Sequence, residues 1–264
     1  MHQPLVDIHC HLLPGIDDGA ADWDVTLGMA QMAVADGIRT IVVTPHQLGN
    51  FAHNRGDDIR SRTAELQHVL DQHDIPLQVF PGGDVRIEDG MVGQLVRGEV
   101  LSLADRGCHV LLELPHELYF PLDGLLTNLG RHGVTGILSH PERNRGLLNR
   151  ADRLPELVEA GCLMQVTAGS LMGTFGSASQ RLAEWMIAQG LVHFVATDAH
   201  GTKSRRPLLR RAFEHIASLA DKRTAEDLCM NNPALVASGK SVPGGRRPTP
   251  CRGWRSIFSA KKVA

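Results

Sequence analysis

Seven short apolar runs rich in β-branched residues recur along the chain, each followed by a longer helical pattern, and this alternation constrains the fold more than any other feature. The runs are 5–10 (LVDIHC), 38–44 (IRTIVVT), 76–80 (PLQVF), 108–114 (CHVLLEL), 134–139 (VTGILS), 162–167 (CLMQVT) and 192–197 (VHFVAT). Helical patterns fall near 23–36, 57–73, 90–97, 122–132, 151–160, 178–190 and 206–220. Strands separated by helices pair in parallel, because a parallel connection must cross the sheet and a helix is the usual crossover. An α/β fold is therefore expected. At 264 residues a closed barrel is favoured over an open doubly wound sheet, although periodicity alone fits both. A last short helix is expected over 224–231, with Thr224 and Asp227 spaced as a capping box and Asn232-Pro233 as the stop.

The ionisable residues fall at the ends of these strands. Strand one ends in His9-Cys10-His11. Residues i and i+2 of a strand face the same way, so both imidazoles can reach one ion. Strand two leads to Thr44-Pro45-His46, strand three to Gly82-Gly83-Asp84, and strand four carries Glu113. Strand five runs into His140-Pro141-Glu142-Arg143, and the last strand into Asp198-Ala199-His200, a second i, i+2 pair. The C-terminal strand ends of a βα barrel converge on one face, where such residues would meet. A lone H-x-H is as often structural as metal-binding; the coincidence of all these residues on one rim points to a metal-dependent hydrolase. Imidazole and carboxylate without thiolate suit manganese, iron or zinc. His53, His68, His73, His132 and His215 lie in loops or helices and read as surface or packing residues.

Composition narrows the classes. Five cysteines, scattered and odd in number, with no C-x-x-C pair, exclude a disulfide framework or a zinc knuckle. The start, Met-His-Gln-Pro, lacks the basic and apolar regions of a signal peptide, and there is no apolar run of about 18 residues, so a reducing cytoplasm is expected. Seven of the 27 basic residues lie from Lys240 onward with no acidic residue among them, leaving 20 against 29 acidic residues in the body. A body of net charge −9 suits cations rather than nucleic acid. The reading is of one domain over 1–240 and a basic tail over 241–264. The tail is either solvated and disordered or, with Trp254, Ile257 and Phe258 among its basic residues, a contact to a membrane surface or partner. Several apparent motifs fail on spacing. ALVASGKS (234–241) lacks the first Gly of a P-loop, and His116-Glu117 is followed by Phe120 where a zincin needs His. No cysteine has Arg six positions on, which excludes a cysteine-nucleophile phosphatase. The glycines of 169–176 do not have dinucleotide-binding spacing.

The residues also carry a resemblance. DIHCH (7–11), LPGIDDG (13–19), TPH (44–46), PGGDVR (81–86), LLELP (111–115), SHPERN (139–144), QVTAGSLMGTFG (165–176) and ATDAH (196–200) together resemble the polymerase-and-histidinol-phosphatase (PHP) superfamily. Within it the chain is similar to the bacterial manganese-dependent protein-tyrosine phosphatases of capsule and exopolysaccharide operons. The resemblance covers roughly residues 5–240, and LPGIDDG and HPERN are not general features of the superfamily. It implies a distorted (β/α)7 barrel and three metal ions. By motif position His9, His11, Asp84 and Asp198 would hold the first ion; Asp84, Glu113 and His140 the second; and Asp18, His46 and His200 the third. Arg143 and Arg206 match basic residues that grip phosphate. One position departs: the family usually has Glu where this chain has Asp84, so a bridge between two ions must be reached by backbone movement or through water.

What the resemblance implies chemically is phosphomonoester hydrolysis by direct attack of a metal-activated hydroxide, with no covalent phosphoenzyme. Phenolate is a fair leaving group, tyrosine having a pKa of about 10, so strong proton donation is not needed. His46 or His200 could supply a proton if not fully committed to metal. Asp17, Arg86 and Glu142 read as supporting rather than catalytic residues. Loop 12–22 reads equally as a cover for the site or a plain connection. The implied substrate is phosphotyrosine on the tail of a bacterial tyrosine kinase that regulates polysaccharide export. Three rivals remain: a small-molecule phosphatase such as one acting on histidinol phosphate, an amidohydrolase-type enzyme, and a catalytically weak regulatory binding protein. The amidohydrolase reading lacks the strand-end Lys such enzymes commonly carbamylate. Nothing in the sequence bears on the oligomeric state, and self-association is left open.

Overall fold

The computed structural model describes residues 4–243, so the expected tail lies, from residue 244 on, outside the described residues. The elements follow in the order β1 (Leu5–Cys10), α1 (Trp23–Asp36), β2 (Ile38–Val43), β3 (His46–Gln47), α2 (Gly56–Gln72), β4 (Gln78–Pro81), β5 (Asp84–Arg86) and α3 (Met91–Val96). Then come β6 (His109–Glu113), α4 (Asp123–Arg131), β7 (Thr135–Ser139), α5 (Arg145–Leu148), α6 (Arg153–Glu159), β8 (Leu163–Thr167), α7 (Ala168–Leu171) and α8 (Gly176–Gln189). β9 (Phe194–Ala196), α9 (Arg210–Leu219), α10 (Lys222–Glu226) and α11 (Asn232–Ala237) complete the described chain.

Every strand pairing is parallel, as the alternation requires. The strands assort into two sheets, β1-β2-β4 and β3-β5-β6-β7-β8-β9. The strands expected over 38–44 and 76–80 are each followed, after a break, by a further short strand that was not expected. Pro45 has no N–H to give a ladder, and the chain turns there from β2 to β3. Its carbonyl instead accepts the N–H of Asp84 at 3.1 Å. Gly82 and Gly83 make the matching break between β4 and β5. A Cβ on Gly82 would lie 2.8 Å from Val42 Cγ1, and one on Gly83 2.4 Å from Gln47 Oε1, so only glycine fits both places. At the other margin the ends of β1 and β9 meet. Asp198 N–H donates to His9 O at 2.8 Å and His11 N–H to Ala199 O at 2.9 Å.

The strands are buried on both faces, and the alternation of side chains divides the core. Val6, Ile8, Val42, Leu111, Ile137, Leu163 and Phe194 pack into one cluster to which Phe80 is added, so both sheets supply it. Leu5, Ile41, Val79, Leu138 and Val166 face a larger cluster shared with the helices. There α1 presents Met29, Ala30 and Ala33 at helical spacing. That helix starts at an N-cap, Asp22, whose carboxylate accepts Val25 N–H, and ends at Gly37 with φ of 101°.

Two expectations need correction. The helix expected from 206 begins at Arg210, because Asp36 on α1 accepts the N–H groups of Leu209 and Arg210 and fixes the start there. The helix expected over 224–231 starts at Lys222, capped by Asp221, and does not stop at Asn232-Pro233. A π-turn over 227–231 precedes α11, and Pro233 stands in its first turn, where a missing N–H leaves no bond unmade. No helix among the described residues is long and apolar enough to cross a membrane.

Candidate metal centre

The strand-end residues converge as the alternation suggests. His9 is fixed by its neighbours before any ligand is considered. Its Nδ1 lies 2.8 Å from Oε1 of Gln165 on β8, which turns Nε2 inward. His11 Nδ1 lies 2.7 Å from Asp17 Oδ2. A carboxylate can only accept, so His11 carries its proton on Nδ1 and presents the Nε2 lone pair. Asp17 is itself held by the N–H groups of Gly19 and His46 at 2.9 and 3.0 Å, and burial against the His11 charge leaves its carboxyl below the usual range. The two inward nitrogens, His9 Nε2 and His11 Nε2, are 3.3 Å apart.

Around them stand the carboxylates. His9 Nε2 is 3.2 Å from Asp198 Oδ1 and 3.5 Å from Asp84 Oδ2. His46 Nδ1 is 3.5 Å from both Asp84 Oδ2 and Glu113 Oε2, and its Nε2 is 3.4 Å from Asp18 Oδ1. His200 Nε2 is 3.5 Å from the same Asp18 oxygen, and His140 Nε2 is 3.9 Å from Glu113 Oε1. Donors each about 2.1 Å from one ion lie roughly 3.0–3.5 Å from one another, the separations seen here. Four overlapping groups have donor atoms within 4.8 Å of one another: His11, Asp18, His46 and His200; His9, His11 and Asp84; His9, His140 and Asp198; and His46, Asp84 and Glu113. All nine residues singled out as ligands fall in them. The grouping differs from the one motif positions implied, because His140 clusters with His9 and Asp198, and His46 joins Asp84 and Glu113.

Whether these residues fit a cation is decided by Asp84. It is fully buried, and neither carboxylate oxygen has a hydrogen-bond donor among the described residues. A buried carboxylate without a donor costs several kcal/mol unless positive charge neutralises it. The same demand governs the imidazoles. Burial depresses His9, but the charges of Asp198 and Asp84 overcome it and lift its pKa to about 9. Burial likewise opposes charge on His46, which Asp18, Asp84 and Glu113 raise to about 10. His140 goes the other way, to about 3, under burial and the Arg143 charge. A site so rich in buried carboxylate is built for cations.

Two strained residues aim the last ligands: His140 has φ of 35° and Asp198 φ of 51°. The turn after His140 is held by Glu142, buried, which accepts Thr167 N–H at 3.0 Å and Ser170 Oγ–H at 2.6 Å. The same turn delivers Arg143 to Asp198 Oδ2, with its guanidinium 4.1 Å above the Phe175 ring. The second arginine at the site is Arg205, which the sequence reading missed. Its Nη2 reaches Asp198 Oδ2, whereas the expected Arg206 is exposed and engages no carboxylate among the described residues. The local signal was the Arg-Arg pair itself; the choice is made by the turn that bonds His200 N–H to Arg205 O and gives Arg205 φ of 46°. Loop 12–22 supplies Asp17 and Asp18 to the site and is more than a connection.

Comparison with known proteins agrees with this arrangement. The family model described as capsular polysaccharide synthesis, CpsB/CapC, matches residues 5–238. The tyrosine-protein phosphatase YwqE of Bacillus subtilis is 38% identical over 203 residues, 76% of this chain and 79% of YwqE. The putative tyrosine-protein phosphatase CapC of Staphylococcus aureus is 31% identical over 243 residues, 90% of this chain and 95% of CapC. Among solved structures, one from the study of YwqE and of CpsB from Streptococcus pneumoniae, described as unique metal-dependent tyrosine phosphatases, superposes with a TM-score of 0.88. It is 33% identical and covers 94% of this chain and 100% of that one. An enamidase of the amidohydrolase superfamily shares the fold at a TM-score of 0.55 and 16% identity, over 92% of this chain and 70% of its own. With imidazoles and carboxylates gathered at the strand ends and a match spanning almost all described residues, the chain belongs to the CpsB/CapC family.

Proposed function

We propose that this chain is a metal-dependent phosphomonoesterase acting on protein phosphotyrosine, the tail of a bacterial tyrosine kinase in capsule or exopolysaccharide regulation being its substrate, and that it works in the cytoplasm as one catalytic domain over 1–240. The observation that carries the reading is the donor-free carboxylate of Asp84 ringed by His9 and His46. The relatives supply the substrate class, since YwqE and CpsB are named as tyrosine phosphatases.

The two sheets are read as one distorted (β/α)7 barrel. Taking β2 with β3 and β4 with β5 as single bent strands gives seven, and the β1–β9 bonds join the margins. The shared inner cluster is the interior such a barrel needs.

The residues that would hold manganese, with iron or zinc as alternatives, are His9, His11, Asp18, His46, Asp84, Glu113, His140, Asp198 and His200. Their overlapping groups favour several ions that share ligands, and the family resemblance implies three. When bound, the ions supply Lewis acidity that lowers the pKa of water and polarises the phosphoryl oxygens. Gln165 and Asp17 hold His9 and His11 in the tautomers that keep Nε2 available. Arg143 and Arg205 stand at the rim on Asp198 and swing their planar donors onto the non-bridging phosphoryl oxygens as charge builds. Phe175 keeps Arg143 from collapsing outward. His46 and His200 both face Asp18, His46 is the most exposed imidazole of the set, and its Nε2 can return a proton to the phenolate.

The test is direct. Chain loaded with Mn2+ should release phosphate from a phosphotyrosine peptide faster than from histidinol phosphate, lose activity on chelation and regain it on adding Mn2+. Metal analysis should give about three ions per chain. No turnover of any aryl phosphate, with His9→Ala holding as much metal as the parent, would overturn the proposal.

A further inference from the structure

A small cavity opens beside the centre, and neither Arg143 nor Arg205 lines it. It has a volume of about 110 Å³ and shares His46 and Glu113 with the ligand set, while Leu48, Phe51 and Arg86 form its other walls. Gln47 and Asn50 complete a largely polar lining, and the cavity is smaller than the apolar one of about 150 Å³ that encloses a benzene ring, so it admits the edge of a phenol ring from an open mouth. The turn that builds it is strained. Leu48 and Gly49 are consecutive residues with positive φ, 71° and 52°, and Phe51 N–H closes the turn on Leu48 O at 2.9 Å. Leucine in that conformation is uncommon and marks a turn held for its result. The result is that the Phe51 ring stacks on His46, with centroids 5.2 Å apart and planes at 22°.

Arg86 completes the mouth. A Cβ on Gly49 would lie 2.4 Å from Arg86 Cδ, so the arginine stem lies against a bare backbone and its direction depends on that glycine. Glu88 ties down the same backbone by accepting Gly49 N–H at 3.1 Å. Arg86 is exposed, and among the described residues its guanidinium has no hydrogen-bond or ion-pair partner, whereas Arg143 and Arg205 both engage Asp198. A positioned, unpaired planar cation is suited to a carboxylate arriving from outside.

We propose that Phe51 and Arg86 form a specificity subsite in which Phe51 stacks on the phenol ring and Arg86 selects peptides with an acidic residue adjacent to the phosphotyrosine; this rests on the phosphatase reading above. The experiment compares two peptides that differ only in Glu or Gln beside a non-hydrolysable phosphotyrosine phosphonate, with Kd measured by fluorescence anisotropy on the full chain loaded with Mn2+. The parent binds the Glu peptide about fivefold tighter, a preference that shrinks with salt. Arg86→Gln brings the two Kd values together and Arg86→Glu inverts their order. The ratio of kcat/KM on the corresponding phosphotyrosine peptides moves in parallel. Equal binding of both peptides by the parent overturns the subsite. So does an equal loss on both peptides in Arg86→Gln, which would assign Arg86 to the phosphate. Absence of phosphate release by the parent counts against the phosphatase reading instead, and the phosphonate Kd ratio still reports on the subsite.

Discussion

Asp84 shows how much one side chain can be asked to do. Its carboxylate sits between His9 and His46, 3.5 Å from a nitrogen of each. The shorter acid still reaches the cluster because β5 is brought in by the backbone, through the bond from Asp84 N–H to Pro45 O and the register that sets it opposite His46. Asp84→Asn removes the charge but little volume; kcat/KM on an aryl phosphate is expected to fall at least about 100-fold, with fewer ions per chain. Asp17 acts one step further out. Asp17→Ala is expected to weaken metal binding on the order of 10–100-fold, measured by competition with a chelator, because His11 loses the partner that fixes its tautomer. Of the neighbouring arginines, Arg205→Gln should reduce kcat/KM more than Arg206→Gln. An equal loss would place Arg206 in the site after all.

At the scale of elements, the turns after the strands matter more than the strands. Glu142 joins the β7 turn to the start of α7, and Glu142→Ala leaves the Thr167 N–H and the Ser170 hydroxyl without their acceptor in a buried place. A loss of about 2–4 kcal/mol is expected, seen as a lower urea midpoint at unchanged m-value, with lower activity as the His140–Arg143 turn loosens. The sequence displayed most of this scaffold. The pair His9-x-His11 was visible because period two places both residues on one face, whereas Asp198-x-His200 lies beyond β9 and its two residues enter different groups. What stayed hidden were features set by contacts across the fold. The breaks at Pro45 and Gly82-Gly83 depend on Val42 and Gln47, and the start of α9 depends on Asp36 far away on α1. The choice of Arg205 over Arg206 depends on a backbone bond to His200. Pro45, Gly82-Gly83 and the Arg205-Arg206 pair are visible locally, but what each does is set by these distant contacts.

For the whole molecule, ligand binding and folding are coupled, because the carboxylates that would hold the ions are also the buried charges that oppose folding. Mn2+ at about 100 times its Kd should add about 2.7 kcal/mol of stability, a rise in melting temperature of roughly 5–10 °C that chelation abolishes. A second linkage lies away from the centre. His193 is buried; its Nδ1 accepts Met164 N–H at 3.1 Å and therefore carries no proton there, and burial lowers its pKa to about 4. The folded pKa lies below the ordinary value, so the unfolded chain binds more protons between them. Its contribution is complete above pH about 6.5 and is lost as pH falls towards 4, by up to about 3 kcal/mol. In denaturant titrations His193→Gln should flatten the slope of stability against pH over that window relative to the parent. An unchanged slope would refute the assignment.

The bonds between β1 and β9 also set an order of events during synthesis. His9 and His11 leave the ribosome long before Asp198 and Ala199, whose amide and carbonyl, respectively, lock their strand. A nascent chain that has not reached residue 198 holds half of an ion site with nothing to close it. Contacts of such long sequence separation form late and slowly. Metal capture thus depends on the synthesis of β9: chains cut short before it should fail to retain the ions and be open to proteolysis, while chains that include it bond it to β1.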